Sequence, residues 1–477
     1  MKAFLYNPPG PRFQRGEDRC GADVDGSATV TLRPPNDLGY LGAILRDRGW
    51  RVLIRDYPAR GGSTQDFLEE VEKFSPDLVV LSATVGTLEY DMRSLDRLRA
   101  KCPAAFLAAK GPPFSIYPAE FFTGPGFSGL DAGLLGEAEA VIGDLADCLE
   151  RGGDVAAVPG ILLLRPVPPR RTAPPRLVED LDGLPWPARD LMENRLYRLP
   201  SGRPQATIQV SRGCPCSCIY CLTPLLSGRR LRRRAVSEII AELRQCLEVH
   251  GIRDFFFRAD TFTLDGDFVI ELCREILAAG LPIRWVANSR SDCLNEERLD
   301  WMKKAGCWLV ALGLESGSDE TLSRARKGTT AADGRTAVAL AKRKGLKTLG
   351  FFVLGFPWET ENDIERTLAY ALELDCDFIE AHIACPYPGT ELYRQVRKLG
   401  LLGEVPPGGD YFSRPPVGTV SLSPQRLLEL RRRFLRKYYC RPGYIVRTLG
   451  SVRHPRELGE YLRRGLRLLR PLRSPGS

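Results

Sequence analysis

Two stretches of this chain alternate strand and helix patterns, and this alternation restricts its fold more than any other feature. In the first stretch, residues 78–82 (LVVLS) form the continuous apolar run of a strand that is buried on both faces. The alternation predicts an α/β domain with a doubly wound, Rossmann-like sheet. Its strands are predicted at residues 2–6, 51–56, 78–82, 105–109 and 129–136, and its helices at 38–48, 66–74, 92–100 and 138–150.

The second stretch contains six strand–helix units without an internal break. Such a series predicts a (β/α)6 partial TIM barrel, whose site opens at the carboxyl ends of its strands. The strands are predicted at residues 206–211, 254–258, 283–288, 308–314, 348–354 and 378–384. The helices between them include residues 236–250, 268–279, 296–305 and 361–374.

A proline-rich segment separates the two stretches, and a basic segment follows the second. We therefore predict four regions: an N-terminal domain at residues 1–160, a linker at 161–204, the barrel at 205–400 and a helical C-terminal region at 401–477.

The positive charge of the chain is concentrated in the last region. Residues 425–477 contain 15 Lys and Arg against 3 Asp and Glu, whereas the whole chain has a net charge of +9. Two amphipathic helices are predicted there, at residues 425–438 and 456–470. They are interpreted either as a surface for anionic lipid or nucleic acid, or as helices that cap the barrel.

The chain starts without the pattern of a secretory signal, and it contains no apolar run long enough for a membrane span. The sequence therefore predicts a cytoplasmic protein with reduced thiols, located peripherally at the membrane if the basic helices bind lipid.

Four cysteines lie close together directly after the first barrel strand, in the segment SRGCPCSCIYCLTP. A zinc site would need four closed ligands, which this spacing crowds, and a disulfide does not suit a reducing compartment. A third interpretation uses Cys214, Cys218 and Cys221 on a 4Fe–4S cluster, which leaves one iron without a protein ligand.

This CxxxCxxC motif, directly after the first strand of such a barrel, resembles the radical S-adenosylmethionine (SAM) enzymes. The resemblance implies a cluster on Cys214, Cys218 and Cys221, with SAM bound to the open iron. Cys216 occupies a place where relatives carry an aromatic or polar residue, so we expect it not to be a ligand.

Further segments along the barrel resemble the same family: RADTFT, GLESGS, FVLGFP and PYPGT. They imply a set of SAM-binding residues near the carboxyl ends of the strands. The set is Asp260, Thr261, Asn288, Glu315, Ser316, Arg324, Lys327 and Gly355. On the sixth strand, Glu380 and His382 alternate with apolar residues and are predicted to face the lumen as catalytic candidates.

The N-terminal domain resembles the cobalamin-binding subclass of these enzymes, through PNDLGYLGAIL, LVVLSAT, KGPPFS and LLGEAEA. No GxGxxG follows its first strand, so a dinucleotide is not favoured. All three histidines lie beyond this domain, so no histidine of the domain can ligate cobalt. The implied cobalamin-binding residues are Asn7, Ser82, Thr84, Gly111, Pro112, Gly136 and Glu137.

The resemblance implies a methyltransferase that acts on an unactivated carbon through a 5'-deoxyadenosyl radical and methylcobalamin. We also expect a small-molecule substrate, or a lipid or isoprenoid if the basic helices contact a membrane. A one-electron donor such as flavodoxin or ferredoxin is expected, and no nucleic acid. The alternative is a radical SAM cyclase or ring-rearranging enzyme with the same cofactors. A methylthiotransferase-like enzyme and a metal-binding nucleic-acid module are minor alternatives.

Overall fold

The computed structural model describes residues 1–15, 24, 27, 31–402, 415, 417–452 and 455–469. Parts of the N-terminal loop and of the predicted C-terminal region therefore lie outside the described residues.

The N-terminal sheet has seven described strands in the order β2-β1-β3-β4-β5-β6-β7, and the first five in this order are parallel. The strands are β1 Lys2–Asn7, β2 Arg51–Asp56, β3 Leu78–Ser82, β4 Phe106–Lys110, β5 Ala132–Leu134, β6 Ile161–Leu163 and β7 Arg170–Arg171. The helices are α1 Asn36–Asp47, α2 Tyr57–Arg60, α3 Thr64–Phe74, α4 Leu88–Met92, α5 Leu95–Lys101, α6 Pro112–Ile116 and α7 Glu139–Glu150. The doubly wound fold predicted for this domain is confirmed.

One helix predicted in this domain, at residues 92–100, is found as two short helices, α4 and α5. Asp91 explains the difference, because its fully buried carboxylate holds the end of α4 inside the domain. The carboxylate accepts hydrogen bonds from the Thr87 hydroxyl at 2.6 Å and from Arg15 at 2.7 Å. Arg93 and Ser94 then separate α4 from α5, whose Leu95 and Leu98 are also buried in the core of the domain.

The segment predicted as a linker begins within this sheet, because β6 and β7 extend it with antiparallel pairing. The remainder of the linker packs between the domains. Arg189 anchors it through a buried ion pair with Glu242, which also pairs with Arg234. The predicted domain boundaries themselves stay a prediction.

The second sheet has six strands in the order β15-β14-β13-β12-β11-β8, all parallel. Two short strands beside it, β9 Ser211–Arg212 and β10 Arg232–Arg233, pair with each other. The six are β8 Gln205–Gln209, β11 Asp254–Arg258, β12 Arg284–Arg290, β13 Cys307–Glu315, β14 Lys347–Leu354 and β15 Phe378–Ile383. The predicted partial barrel is confirmed.

The sequence pattern of β14 shows why these residues form a barrel. Phe352 and Leu354 are fully buried beneath the helices, whereas Phe351 and Val353 are directed into the lumen. The helices of this domain are α8 Thr223–Leu226, α9 Val236–His250, α10 Gly266–Ala278, α11 Glu296–Lys304, α12 Asp319–Arg324, α13 Ala331–Arg343, α14 Glu361–Leu374 and α15 Glu391–Lys398.

The described part of the C-terminal region contains three helices: α16 Pro424–Tyr439, α17 Pro442–Ser451 and α18 Pro455–Leu469. The apolar side of α16 is buried against the barrel through Leu427, Leu430 and Phe434. The Tyr439 hydroxyl accepts from the Ile379 N–H at 2.8 Å and donates to the Ile379 carbonyl at 2.6 Å. For this helix, the capping interpretation is therefore correct.

The two edge strands of the open barrel, β8 and β15, both contact the N-terminal part of the chain. The Ser27 hydroxyl donates to Glu380 on β15 at 2.5 Å. The Gln205 amide of β8 donates to the Thr31 hydroxyl and to the Leu32 carbonyl, each at 3.0 Å. We call the gap between these two strands the seam.

Buried ion pairs join the two domains beside the cysteine segment. Arg232 pairs with Glu137 at 2.7 Å, and Arg212 pairs with Glu139 at 2.6 Å. Within the described residues, none of the helices combines the length and the apolarity needed to cross a bilayer.

Candidate functional site

A cavity of about 480 Å³ opens at the carboxyl ends of the barrel strands. The cysteine segment forms one part of its wall, and strands β11 to β15 form the lumen side. Gln14, Thr31 and Arg33 of the N-terminal part of the chain also line it. The cavity is therefore enclosed by residues from both domains.

The cysteine segment is shaped by glycine at its first turn. Gly213 has a φ of +90°, and a Cβ there would lie 2.1 Å from the Arg230 carbonyl oxygen. Another residue could not adopt this backbone without moving the neighbouring chain. The turn directs the segment into the cavity, where Cys214, Cys218 and Cys221 all line the wall together with Cys216.

Asp260 holds both ends of this segment. One carboxylate oxygen accepts from the Gly213 N–H at 2.8 Å, and the other accepts from the Thr223 hydroxyl at 3.2 Å. Asp260 thus lies in the cavity, as predicted, and its hydrogen bonds fix the cysteine segment. Thr261 and Asn288 line the same cavity.

The three predicted cluster ligands, Cys214, Cys218 and Cys221, line the same cavity. This common position fits a cluster that all three would bind. Among the described residues, no three His, Cys, Asp or Glu side chains converge closely enough to hold a single metal ion.

Glu315 and Lys327 form a buried ion pair at 2.7 Å in the cavity wall. Glu315 has a φ of +60° and follows a register shift in β13, so its side chain points into the lumen. The Tyr220 side chain, beside the last cysteine, lies close enough to the Glu315 carboxylate for its pKa to be raised by it, after the larger effect of burial. Burial lowers the pKa of Lys327, but the Glu315 carboxylate and the nearby Cys218 together outweigh burial, so the net pKa is raised. Lys327 therefore stays charged.

The absence of a side chain at Gly313 makes room for this ion pair. A Cβ at Gly313 would lie 2.7 Å from a Glu315 carboxylate oxygen and 2.8 Å from the Lys327 ammonium. We expect Gly313→Ala to displace the pair at a cost of about 1–3 kcal/mol, which corresponds to SAM affinity weakened by a factor of about 5 to 150. The measurement is SAM binding to the cluster-loaded protein. Gly443→Ala, whose Cβ would meet no atom within 4 Å, is the control, and equal affinities in the two variants would contradict the prediction.

Arg290 is a site residue that the sequence analysis missed. It lines the cavity, forms an ion pair with Asp292 at 2.7 Å, and lies close enough to Cys216 and Cys218 to interact with them electrostatically. The sequence of β12 did contain a signal for Arg290. Side chains two residues apart on a strand face the same side, and Arg290 follows the predicted site residue Asn288 by two residues.

Three predicted SAM residues do not line the cavity. Arg324 is exposed and stacks on the Trp358 ring, 4.2 Å from its centroid. Ser316 is fully buried, and its hydroxyl lies 3.1 Å from the Thr367 hydroxyl. Gly355 has a φ of +83° and lies against α16, where an added Cβ would be 2.9 Å from Leu427. A contact of these three with SAM stays a prediction.

A buried carboxylate, Glu359, organises the turn that contains Gly355. It accepts from the Gly355 N–H at 2.7 Å and from the Phe356 N–H at 3.0 Å. Burial raises its pKa from 4.5 to about 7, although these hydrogen bonds partly oppose the increase.

This pKa makes the stability of the protein dependent on pH. Between pH 4.5 and about 7, the folded state keeps a proton that the unfolded state has released, so the free energy of unfolding falls as pH rises. We expect Glu359→Gln, which cannot ionise, to remove up to about 3 kcal/mol of this decline. Denaturant unfolding across that pH range tests it, with the exposed Glu320→Gln as control. Parallel profiles for the wild type and Glu359→Gln would contradict the assignment.

His382 and Glu380 both lie on the lumen side of β15, as predicted. His382 lines the cavity, whereas Glu380 is 2% exposed and accepts the Ser27 hydrogen bond. Burial lowers the pKa of His382 and nearby Arg431 lowers it further, whereas Glu380 opposes both. The imidazole is therefore neutral near pH 7 and can accept or donate a hydrogen bond.

The predicted cobalamin residues lie at the carboxyl edge of the first sheet, where the strand order reverses between β1 and β3. Ligands of doubly wound sheets bind at such a point. Asn7, which ends β1, is 2% exposed, and its side-chain oxygen finds no hydrogen-bond partner among the described residues. Gly111 has a φ of +128°, and a Cβ there would lie 2.0 Å from the Ala83 carbonyl oxygen. Glycine at position 111 is thus required for close packing against Ala83, and the Asn7 oxygen, which lacks a partner among the described residues, fits a polar group of a bound ligand.

The remaining predicted cobalamin residues lie along the same edge. The Ser82 hydroxyl donates to Asp37, and the Thr84 and Thr87 hydroxyls are 2.8 Å apart. Pro112 begins α6, and the Gly136 N–H donates to Ser115. Glu137 instead pairs with Arg232 of the barrel domain, so its carboxylate joins the domains. Contacts of these residues with cobalamin stay a prediction.

Two family models match the chain: the radical SAM superfamily over residues 208–371, and the B12 binding domain over residues 29–146. An uncharacterized methyltransferase of Pyrococcus horikoshii is 31% identical over 88% of this chain and 90% of its own length. An anaerobic magnesium-protoporphyrin IX monomethyl ester cyclase of Rubrivivax gelatinosus is 26% identical over 81% of this chain and 69% of its own length.

A solved structure also shares this fold. The cobalamin-dependent SAM radical enzyme OxsB, with aqua-cobalamin and SAM bound, superposes with a TM-score of 0.74 at 17% identity. The match covers 98% of this chain and 72% of that one, and thus includes both domains.

Proposed function

Since this chain belongs to the cobalamin-binding radical SAM enzymes, with a 4Fe–4S cluster, SAM and cobalamin as cofactors, we propose that it transfers a methyl group to an unactivated carbon of a small molecule. The relative from Pyrococcus horikoshii, similar over nearly its whole length, is named as a methyltransferase. Its name supports methyl transfer as the reaction of this chain.

One structural observation carries the proposal: residues of both domains enclose a single cavity. Cys214, Cys218 and Cys221 line it from the barrel, and Gln14 and Arg33 line it from the N-terminal part of the chain. A reaction that needs groups from both domains at one carbon atom requires such a shared space.

The cluster with SAM supplies, when bound, a radical that removes a substrate hydrogen atom, and cobalamin supplies the methyl group. The three cysteines would hold the cluster, in a segment that Asp260 fixes at both ends. Glu315, Lys327 and Asn288 face the same space and would hold SAM. The carboxyl edge of the first sheet, at Asn7 and Gly111, would hold cobalamin.

The lumen residues orient the substrate and exclude water. Leu349, Phe351 and Val353 form an apolar wall on β14, beside the neutral His382. An apolar wall keeps water from a reactive carbon radical, and a neutral imidazole positions a polar group without adding charge.

Anaerobic reconstitution with iron, sulfide and cobalamin tests the proposal. We expect about four irons per chain and deoxyadenosine formation from SAM, both lost in Cys218→Ala. Mass spectrometry of metabolite and lipid extracts, compared with that variant, should then show a product heavier by one methylene. An unchanged carbon count would contradict methyl transfer.

A cyclisation is the second candidate, because a relative similar over 81% of this chain is named as a cyclase. The same experiment separates the two reactions. A product that has lost hydrogens at constant carbon count would identify a cyclase.

Radical SAM enzymes need a reductant and a small-molecule substrate. We propose flavodoxin or ferredoxin as the one-electron donor, which reduction of the reconstituted cluster by each purified protein would test. If the protein contacts a membrane, we propose a lipid or an isoprenoid as the class of its substrate.

The proposed membrane contact rests on α17 and α18, because the apolar side of α16 is buried. Leu458, Leu462 and Leu466 are 37, 54 and 61% exposed and repeat at four-residue spacing on α18, among several arginines. Such a face binds anionic lipid surfaces. Co-sedimentation with anionic vesicles should fall in Leu462→Glu and remain unchanged in Leu277→Glu, an exposed leucine of α10. Equal vesicle binding by both variants would contradict the proposed membrane contact.

A further inference from the structure

A single buried carboxylate, that of Glu137, joins three parts of the chain. Glu137 is 1% exposed, and its two oxygens accept from the two terminal nitrogens of Arg232 at 2.7 and 2.8 Å. One of these oxygens also accepts from the Val178 N–H at 2.7 Å, in the segment between the domains. Since Glu137 directly follows Gly136 at the carboxyl edge of the first sheet, its carboxylate connects that edge to the barrel domain.

Arg232 in turn contacts the chain on both sides of the cysteine segment. It lies in β10, which pairs with β9, and β9 leads directly into Gly213 and Cys214. One of its terminal nitrogens also donates to the Ser227 carbonyl at 2.7 Å, at the end of the short helix α8 that follows Cys221. The guanidinium that binds Glu137 therefore fixes the chain before the first cysteine and after the last one.

A second ion pair lies beside the first. Arg212 of β9 pairs with Glu139 at 2.6 Å and lies 3.6 Å from Glu137. The four side chains of the two pairs are at most 8% exposed. Displacing one partner of a buried pair leaves the other charge without its counter-ion, which is strongly unfavourable. The edge of the first sheet and the two strands beside the cysteines therefore keep one relative position while both pairs are formed.

The cysteine segment is thus attached to both domains. Within the barrel, Asp260 accepts from the Gly213 N–H and from the Thr223 hydroxyl. From the N-terminal domain, Glu137 and Glu139 bind the strands on either side of it. Because the attachments come from two domains, the arrangement of the three predicted cluster ligands depends on how these domains are positioned relative to each other.

We propose that the pair of Glu137 and Arg232 couples the two cofactor sites, so that cobalamin at the edge of the first sheet tightens the binding of the cluster by the cysteine segment. A ligand held at this edge favours the domain arrangement in which the pair is formed, and the same arrangement places the cysteines. Such coupling is reciprocal, so the cluster tightens the binding of cobalamin by the same factor. Glu137 and Arg232 are thus positioning residues. The inference rests on the cobalamin edge of the proposed function, but not on methyl transfer.

The affinity for cobalamin, measured with and without the cluster, tests the proposal. The measurement is anaerobic equilibrium dialysis of the full chain against cobalamin, with bound cobalt as the readout. In the wild type, we expect the cluster-loaded protein to bind cobalamin about fivefold or more tightly than the cluster-free protein. In Glu137→Gln, the ratio of the two affinities should fall to about one. A purely structural role would weaken both affinities and leave their ratio unchanged, so the ratio distinguishes the two roles.

Glu70→Gln is the matched control, because Glu70 accepts from Arg55 at 2.7 Å and both residues belong to the N-terminal domain. It should keep the wild-type ratio. A wild-type protein that binds cobalamin equally well with and without the cluster would overturn the proposal, and so would a Glu137→Gln variant that keeps the wild-type ratio.

Arg232→Lys covers the case in which Glu137→Gln does not fold. It keeps the charge but loses the planar fork that binds both carboxylate oxygens, so its ratio should lie below that of the wild type, and an unchanged ratio would overturn the proposal. These measurements do not require turnover. The expected ratio without any methylated product would contradict the proposed function and leave this inference standing, whereas a protein that binds no cobalamin in either form would contradict both.

Discussion

Cys218→Ala should yield a folded protein that holds no 4Fe–4S cluster and forms deoxyadenosine only at the level of the iron-free wild type. A cubane cluster needs three thiolates to leave one open iron, and losing one thiolate removes a strong bond that Cys216, outside the CxxxCxxC spacing, is not expected to replace. The same result is expected for Cys214 and Cys221. Iron content, acid-labile sulfide and the visible absorption of the anaerobically reconstituted protein provide the measurement.

Cys216→Ser is the matched variant, since Cys216 lines the same cavity two residues from two of the ligands. We expect it to keep the full iron content and SAM cleavage. The positions of the thiols do not show which three bind the cluster, because all four cysteines line the cavity. The CxxxCxxC spacing indicates which three, and loss of iron in Cys216→Ser would show that a different set of three cysteines binds the cluster.

Glu242→Gln should destabilise the protein by about 3–5 kcal/mol. Glu242 is fully buried and pairs with both Arg189 and Arg234, whose side chains are 2% and 3% exposed. Removing the carboxylate charge leaves the buried Arg189 without a counter-ion among the described residues, and leaves Arg234 with only the more distant Asp182 carboxylate at 3.5 Å. Denaturant unfolding of the cluster-free protein, with the wild type measured alongside, gives the difference directly.

Glu373→Gln removes one carboxylate charge from a surface ion pair with Arg335 and is the control for this variant. Solvent screens that pair, so its loss should change stability little. If Glu242→Gln unfolds at the same denaturant concentration as Glu373→Gln, the interdomain segment at Arg189 does not depend on this buried pair.

The fold could be predicted because both sheets follow strong local patterns. The alternation along β14 and the uninterrupted apolar run of β3 each specify a strand from neighbouring residues alone. Asp260 and Glu315 were predicted from the resemblance of their segments to the radical SAM family, and the cysteine segment was predicted also from its place after the first barrel strand. All three lie directly at strand ends, where spacing along the chain determines position in space.

The positions of Arg324 and Lys327 depended on a turn that the residue types do not reveal. Both were predicted to meet SAM, three residues apart. The structure ends α12 at Arg324 and gives Arg326 a φ of +52°, which turns Lys327 into the lumen and leaves Arg324 against Trp358. A non-glycine residue in this conformation is held by tertiary contacts, so the sequence pattern does not indicate it.

Arg431, which lines the cavity from α16, was missed for a related reason. In the sequence it is one of many arginines in an amphipathic helix, and the pattern gives no sign of which of them faces a cavity. Its place follows from the packing of Leu430 and Phe434 onto the barrel, which is a contact between elements far apart in the chain.

The seam between β8 and β15 has a consequence for how this chain can be divided. Ser27 and Thr31, which hydrogen-bond to the two edge strands, belong to the N-terminal domain. A barrel expressed alone would lack these contacts along its open side, and a radical formed in it would be exposed to hydrogen donors and reductants in solution. Such a fragment would cleave one molecule of SAM in each cycle without forming product. Coupling of cofactor consumption to product is therefore a property of the intact polypeptide and not of its catalytic barrel.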